Sequence, residues 1–67
     1  MIAITVNGEA RRFDSPLAIS RLLDVLELTG KRLAVEVNGE IVPKSQHATT
    51  ALNDGDRLEI VVAVGGG

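Results

Sequence analysis

Twice in this chain three alternating apolar residues run straight into Asn-Gly. Ile2, Ile4 and Val6 precede Asn7-Gly8, and Leu33, Val35 and Val37 precede Asn38-Gly39. A period of two marks a strand with one buried face. Asn-Gly tolerates the two positive φ values of a type I′ turn, whose twist suits paired strands. Each block therefore predicts a β-hairpin, with Glu9 to Phe13 returning from the first and Glu40-Ile41-Val42 from the second. Phe13 reaches the core from the end of its strand. Pro43 cannot donate to a ladder, so the fourth strand is short and belongs at a sheet edge.

Between the hairpins, Ile19, Leu22, Leu23 and Leu26 keep the i, i+3, i+4, i+7 spacing of one helical face. Arg21, Asp24 and Glu27 fall on the other side. Ser15-Pro16 predicts the helix start, with Ser15 as N-cap and Pro16 at the first helical position. Thr29-Gly30 predicts its end, with Gly30 as a left-handed cap. Ser45 to Thr50 shows no period and is expected to hold a single tight turn. Asn53-Asp54-Gly55-Asp56 forms another turn, and Arg57 to Val64 is the last strand. Leu58, Ile60 and Val62 face inward there, while Glu59, Val61 and Ala63 face out.

One helix covers one face of a sheet, in agreement with alternation in every strand. Strands one and five then lie side by side and parallel in the sheet centre. The expected fold is α+β: a β-grasp, ubiquitin-like arrangement with a mixed five-stranded sheet and one main helix. Leu22, Leu23, Leu26, Val35 and Ile60 are expected in its core.

Composition removes several function classes. At 67 residues the chain is one domain, near the lower limit for a single unaided core. It has no cysteine, so it offers no disulfide, thiolate metal site or cysteine nucleophile. A net charge of −2, one Phe and neither Trp nor Tyr argue against nucleic acid as a partner. Arg11-Arg12 is too short for a phosphate-binding patch. The lone His47 reads as a surface histidine rather than a metal ligand. Asp54-Gly55-Asp56 lacks the other ligands of a calcium loop. No Ser, His and acid combination is indicated, so neither catalytic nor metal-ligating residues are assigned and the domain alone is not expected to be an enzyme. No signal peptide or membrane span is read, and a cytoplasmic protein, monomeric when free, is expected.

The sequence closes on Gly65-Gly66-Gly67 directly after the last strand. Residues 1–64 are therefore read as the folded domain and residues 65–67 as a flexible tail. Glycine lacks a Cβ, so such a tail can approach another surface closely and be threaded into a narrow channel. What it would deliver is the Gly67 α-carboxylate. Val61, Ala63 and Val64 lie where a partner would hold the tail, and Ala34, Ala3 and Thr5 are expected to extend that patch.

The block Asn38 to Lys44 (Asn-Gly-Glu-Ile-Val-Pro-Lys), the Leu52-x-Asp-Gly-Asp segment and the ending Ala63-Val64-Gly65-Gly66-Gly67 together resemble the ThiS family of sulfur carriers in thiamine biosynthesis. The resemblance covers essentially the whole chain. Ala18 departs from it, since the family often has Thr or a similar capping residue there. The resemblance implies that a ThiF-like adenylyltransferase converts the Gly67 carboxylate to an acyl-adenylate, using its own ATP and magnesium. A cysteine-derived persulfide on a sulfur donor protein then gives a thiocarboxylate, which a ThiG-like thiazole synthase consumes. Gly65 and Gly66 would thread the tail, and this chain would bind no cofactor. Alternatives with the same tail are a carrier for molybdopterin synthesis or tRNA thiolation and a ubiquitin-like protein modifier. A non-covalent ubiquitin-like interaction module would need no tail chemistry.

Overall fold

The computed structural model describes residues 1–63. The strands are β1 (Ile2–Val6), β2 (Glu9–Phe13), β3 (Leu33–Val37), β4 (Glu40–Val42) and β5 (Arg57–Val62). One helix, α1 (Ile19–Val25), and a 3-10 turn at Lys44–Gln46 complete the regular structure. The sheet order is β2-β1-β5-β3-β4. β1 and β5 run parallel, whereas the β1–β2, β3–β4 and β3–β5 pairs are antiparallel. This is the mixed five-stranded β-grasp expected, with β4 at an edge.

Both hairpins turn as the Asn-Gly pairs predict. Asn7 and Gly8 have φ values of 50° and 85°, and Asn38 and Gly39 have 52° and 87°. Two positive values in succession define the type I′ turn. Because a two-residue loop fixes register, Val6 pairs with Glu9 and Val37 with Glu40.

The core lies between α1 and one sheet face. Ile4, Ile19, Leu22, Val35, Leu52 and Leu58 are fully buried, with Ile2, Val6, Leu23 and Ile60 close behind. Leu26 is only partly buried, because the helix has already ended there. Leu52 stands outside every periodic segment, yet it packs into the core and donates its N–H to the Leu17 carbonyl at 2.8 Å.

The helix limits differ from the sequence expectation at both ends. Its N-cap is Ala18, not Ser15, and no side chain caps it. The free N–H groups of the first turn find tertiary partners instead: Ile19 donates to the Thr50 carbonyl at 3.1 Å and Ser20 to the His47 carbonyl at 2.9 Å. At the other end the left-handed residue is Glu27, at φ 59°, rather than Gly30. Leu28 N–H bonds the Leu23 carbonyl and Glu27 N–H the Asp24 carbonyl, the two bonds of a Schellman motif. Leu28 also packs against the core. Its burial outweighs the cost of a positive φ at Glu27. Gly30, at φ 84°, serves a following turn, closed by Lys31 N–H on the Leu28 carbonyl.

His47 is buried, not on the surface. Its Nε2 lies 3.0 Å from the Val42 carbonyl, which can only accept, so Nε2 carries the proton. The imidazole thus ties the 3-10 segment to β4 while the His47 backbone caps α1.

Candidate functional site

The strand that leads to the glycine tail is held more firmly than pairing alone would manage. β1 accompanies β5 only through Thr5–Arg57 and Val6–Leu58, after which β1 turns away. Asn7 then substitutes for a strand. Its Oδ1 accepts from Ile60 N–H at 2.7 Å and its Nδ2 donates to the Ile60 carbonyl at 3.0 Å. Asn38 does similar work at the strand's start, where its Oδ1 accepts from Arg57 N–H and its Nδ2 donates to Asp56. Asp54 accepts the Ala3 N–H at 2.7 Å, and Asp56 Oδ2 accepts the Asn53 N–H at 2.8 Å. The acidic turn is thus a hydrogen-bonded clasp between β1 and β5. Sequence reading recognised these residues as turn formers but not as braces, because their partners are ~50 residues away for Asn7.

On the other side, β3 pairs with β5 from Val37–Leu58 to Leu33–Val62. Beyond the ladder, Ala63 N–H donates to the Arg32 carbonyl at 2.8 Å, so the backbone is held as far as the last described residue. Val64, Gly65, Gly66 and Gly67 lie outside the described residues, as does the boundary proposed at 64/65.

The outward residues of β5 stand on the face that α1 leaves open. Val61 is 63% exposed, and Ala63 is exposed as well. Val61 faces Ala34 across the β3–β5 pair. Ile41, 62% exposed, stands opposite Glu36 and hence diagonal to Ala34 on this face. The apolar group is therefore Val61, Ala34 and Ile41, with Ala63 at its end. The sequence reading places Ile41 in the fourth strand but not in this patch. Counting outward from the Asn38-Gly39 turn would have found it, since a two-residue loop sets its partner.

Ala3 and Thr5 do not extend the patch. Thr5 pairs with Arg57, the first residue of β5, four positions or roughly 13 Å along the strand from Val61. They share the open face but lie toward its other end, near Arg12 and Arg57.

A concavity of about 580 Å³ lies elsewhere, with Leu23, Leu28, Lys31, Arg32, Lys44 and His47 among its walls. Among the described residues no cluster of three His, Asp or Glu could hold a metal, and no helix is long and apolar enough to cross a membrane. The described geometry leads β5 out beside a small exposed apolar surface.

Comparison with known proteins agrees with this architecture. A model of the ThiS family matches residues 4–67. The crystal structure of a thiamine biosynthesis protein (ThiS) from Geobacter metallireducens has a TM-score of 0.83 at 32% identity, covering 98% of this chain and 100% of that one. The NMR structure of a thiamine biosynthesis protein from the same organism gives 0.79, also at 32% identity, covering 98% and 88%. A thiazole synthase from Paramagnetospirillum magneticum is 48% identical over 96% of this chain, which spans only 20% of that relative's length. The protein ycf40 of Porphyra purpurea is 38% identical, with 98% of this chain and 93% of the relative aligned. With the family model covering nearly the whole sequence, and a solved member sharing the fold from end to end, this chain belongs to the ThiS family.

Proposed function

We propose that this chain is a sulfur carrier in thiamine biosynthesis, and that its working group is the Gly67 carboxylate. The observation that carries the reading is membership of the ThiS family through Gly67, on a fold whose β5 is braced up to Ala63. The domain acts as a protein co-substrate. A carboxylate is a poor electrophile, because its charge repels nucleophiles and oxide is a bad leaving group. A ThiF-like adenylyltransferase, using its own ATP and magnesium, joins the Gly67 carboxylate to AMP and releases pyrophosphate. The terminal sulfur of a donor protein's cysteine persulfide attacks the acyl carbon and AMP departs. A thiol then reduces the resulting S–S bond, leaving a thiocarboxylate on Gly67. A ThiG-like thiazole synthase takes that sulfur for the thiazole ring. The likeness to a thiazole synthase containing a region similar to this chain supports that last partner.

Gly65 and Gly66 thread the tail into the partner's channel, and their missing side chains let one tail fit two different enzymes. Val61, Ala63 and Val64 dock the domain, and the exposure of Val61 and Ala63 supports their use. The test is intact mass after incubation with the adenylyltransferase, ATP, magnesium and a persulfide donor. Replacement of one terminal oxygen by sulfur is expected. A chain that remains unmodified while the adenylyltransferase activates its own carrier would overturn the reading in favour of a non-covalent module.

A further inference from the structure

The concavity of about 580 Å³ is basic in a chain whose net charge is −2. One flank of α1, the connection from Leu28 to Leu33 and the 3-10 segment after β4 enclose it. Leu23, Leu28 and Leu33 give it apolar walls, while Lys31, Arg32 and Lys44 bring three of the chain's seven lysines and arginines to it. Among the described residues none of these three has a carboxylate within 4.0 Å, since Arg11–Glu9 is the single ion pair. Asp24 is the one acid in the described wall, and its carboxylate already accepts the Thr29 hydroxyl. His47 adds a second, independent feature. It lines the same hollow at 6% exposure, with Nε2 committed to the Val42 carbonyl. Its Nδ1 makes no hydrogen bond among the described residues, yet it is not sealed in, because Arg11 Nε is the single enclosed atom there without a partner. Nδ1 thus stays reachable, and in the neutral ring it presents an unused lone pair.

We propose that this concavity binds a small phosphomonoester with an apolar body. The site goes beyond the carrier role and uses none of its chemistry. Its size favours a small molecule: such sites measure ~300–1,000 Å³, whereas a protein partner needs a broad face of about 800 Å². Three cations without carboxylate partners call for an anion, and a phosphate offers three strong acceptor oxygens for charge-assisted bonds. His47 decides between phosphate and carboxylate. Its Nδ1 needs a hydrogen from the ligand, and a phosphomonoester, whose second ionisation falls near pH ~6, still has a proton to share at neutral pH. A carboxylate has lost its own by then. The leucines accept the apolar remainder of the molecule, which a bare inorganic ion lacks.

The test is an NMR titration of the isotope-labelled chain with phenyl phosphate, inorganic phosphate and benzoate at neutral pH. Saturable shifts are expected at the amides of Ser20, Thr29 to Arg32, His47 and Ala48, with a phenyl phosphate Kd of about 1 mM or tighter. Benzoate and inorganic phosphate should each bind at least about fivefold more weakly, the first lacking the shared proton and the second the apolar body. The double variant Arg32→Gln/Lys44→Gln changes two exposed side chains and should keep its melting temperature while binding phenyl phosphate about tenfold more weakly. His47→Gln keeps a donor for the Val42 carbonyl but removes the second ring nitrogen, so the preference for phenyl phosphate over benzoate should disappear. If that variant does not fold, the double variant still decides. A wild-type Kd weaker than about 10 mM overturns the proposal. So do equal affinities for phenyl phosphate and benzoate, an unweakened double variant, or shifts centred on Arg12 and Arg57 at the open face. None of these results touches the carrier reading, which the thiocarboxylate mass tests separately.

Discussion

β5 shows two different surfaces on one strand. Leu58 and Ile60 are 2% and 6% exposed under α1, while Val61, between Ile60 and Val62, is 63% exposed on the other face. The inward residues close the core together with Leu22, Val35 and Leu52. Among the described residues, the outward ones meet nothing that would bury them. The sequence spends similar hydrophobic residues on both faces, and only the placement of the single helix separates folding from presentation. Damage to one face should therefore appear in stability, and damage to the other in partner use.

The largest effect is expected where the open side ends. Deleting Gly67 should reduce adenylation and thiocarboxylate formation at least ~100-fold, since one residue moves the reacting carbon by up to ~3.5 Å and even ~1 Å of misplacement is severe. The melting temperature should stay within error, because the deletion leaves the core and the braces of β5 untouched. Paired adenylation kinetics and thermal melts check this, and full activity would break the proposed division of labour.

On the covered side, Leu22→Ala should cost about 2–5 kcal/mol through lost transfer energy and a cavity, since Leu22 is 0% exposed. In a domain this small that lowers the melting temperature by roughly 10 °C or more. Adenylation of the folded fraction should be unchanged, and denaturant unfolding together with kinetics below the transition measures both.

Asn7→Gly probes the brace between the two faces. Glycine keeps the positive φ of the turn but removes both bonds to Ile60, so a loss of about 1–3 kcal/mol is expected. Hydrogen exchange should show the protection of Ile60 N–H falling more than that of Val35 N–H. Equal loss at both sites would mean that Asn7 stabilises the whole fold rather than β5.

The smallest overall effect is expected from Val61→Thr. Shape and strand preference are kept, so stability should change by less than about 0.5 kcal/mol. Docking should weaken by about 1–2 kcal/mol, because the partner would have to bury a hydroxyl without a bond. Calorimetric titration with the adenylyltransferase reads the difference. Unchanged affinity would remove Val61 from the docking surface.

Local pattern was enough for much of this protein. Alternation at Ile2–Val6 and Leu33–Val37 located two strands, and the Asn-Gly pairs set both hairpins and their registers, because a type I′ turn admits few alternatives. The apolar spacing from Ile19 identified the buried face of α1, and alternation along β5 sorted Leu58 and Ile60 from Val61. The glycine ending and the Asn38 to Lys44 block pointed to the ThiS family. Tertiary structure decided what no local window contains. It started α1 at Ile19 rather than after Ser15, because carbonyls of the 47–50 loop satisfy the Ile19 and Ser20 N–H groups of the first turn. It ended α1 at a strained Glu27, because burial of Leu28 rewarded the earlier turn. It drew His47 and Leu52 inside and turned Asn7 into a surrogate strand. In each case the deciding partner is remote in sequence or carried on a loop without period, so its energy enters only when the sheet and helix have come together.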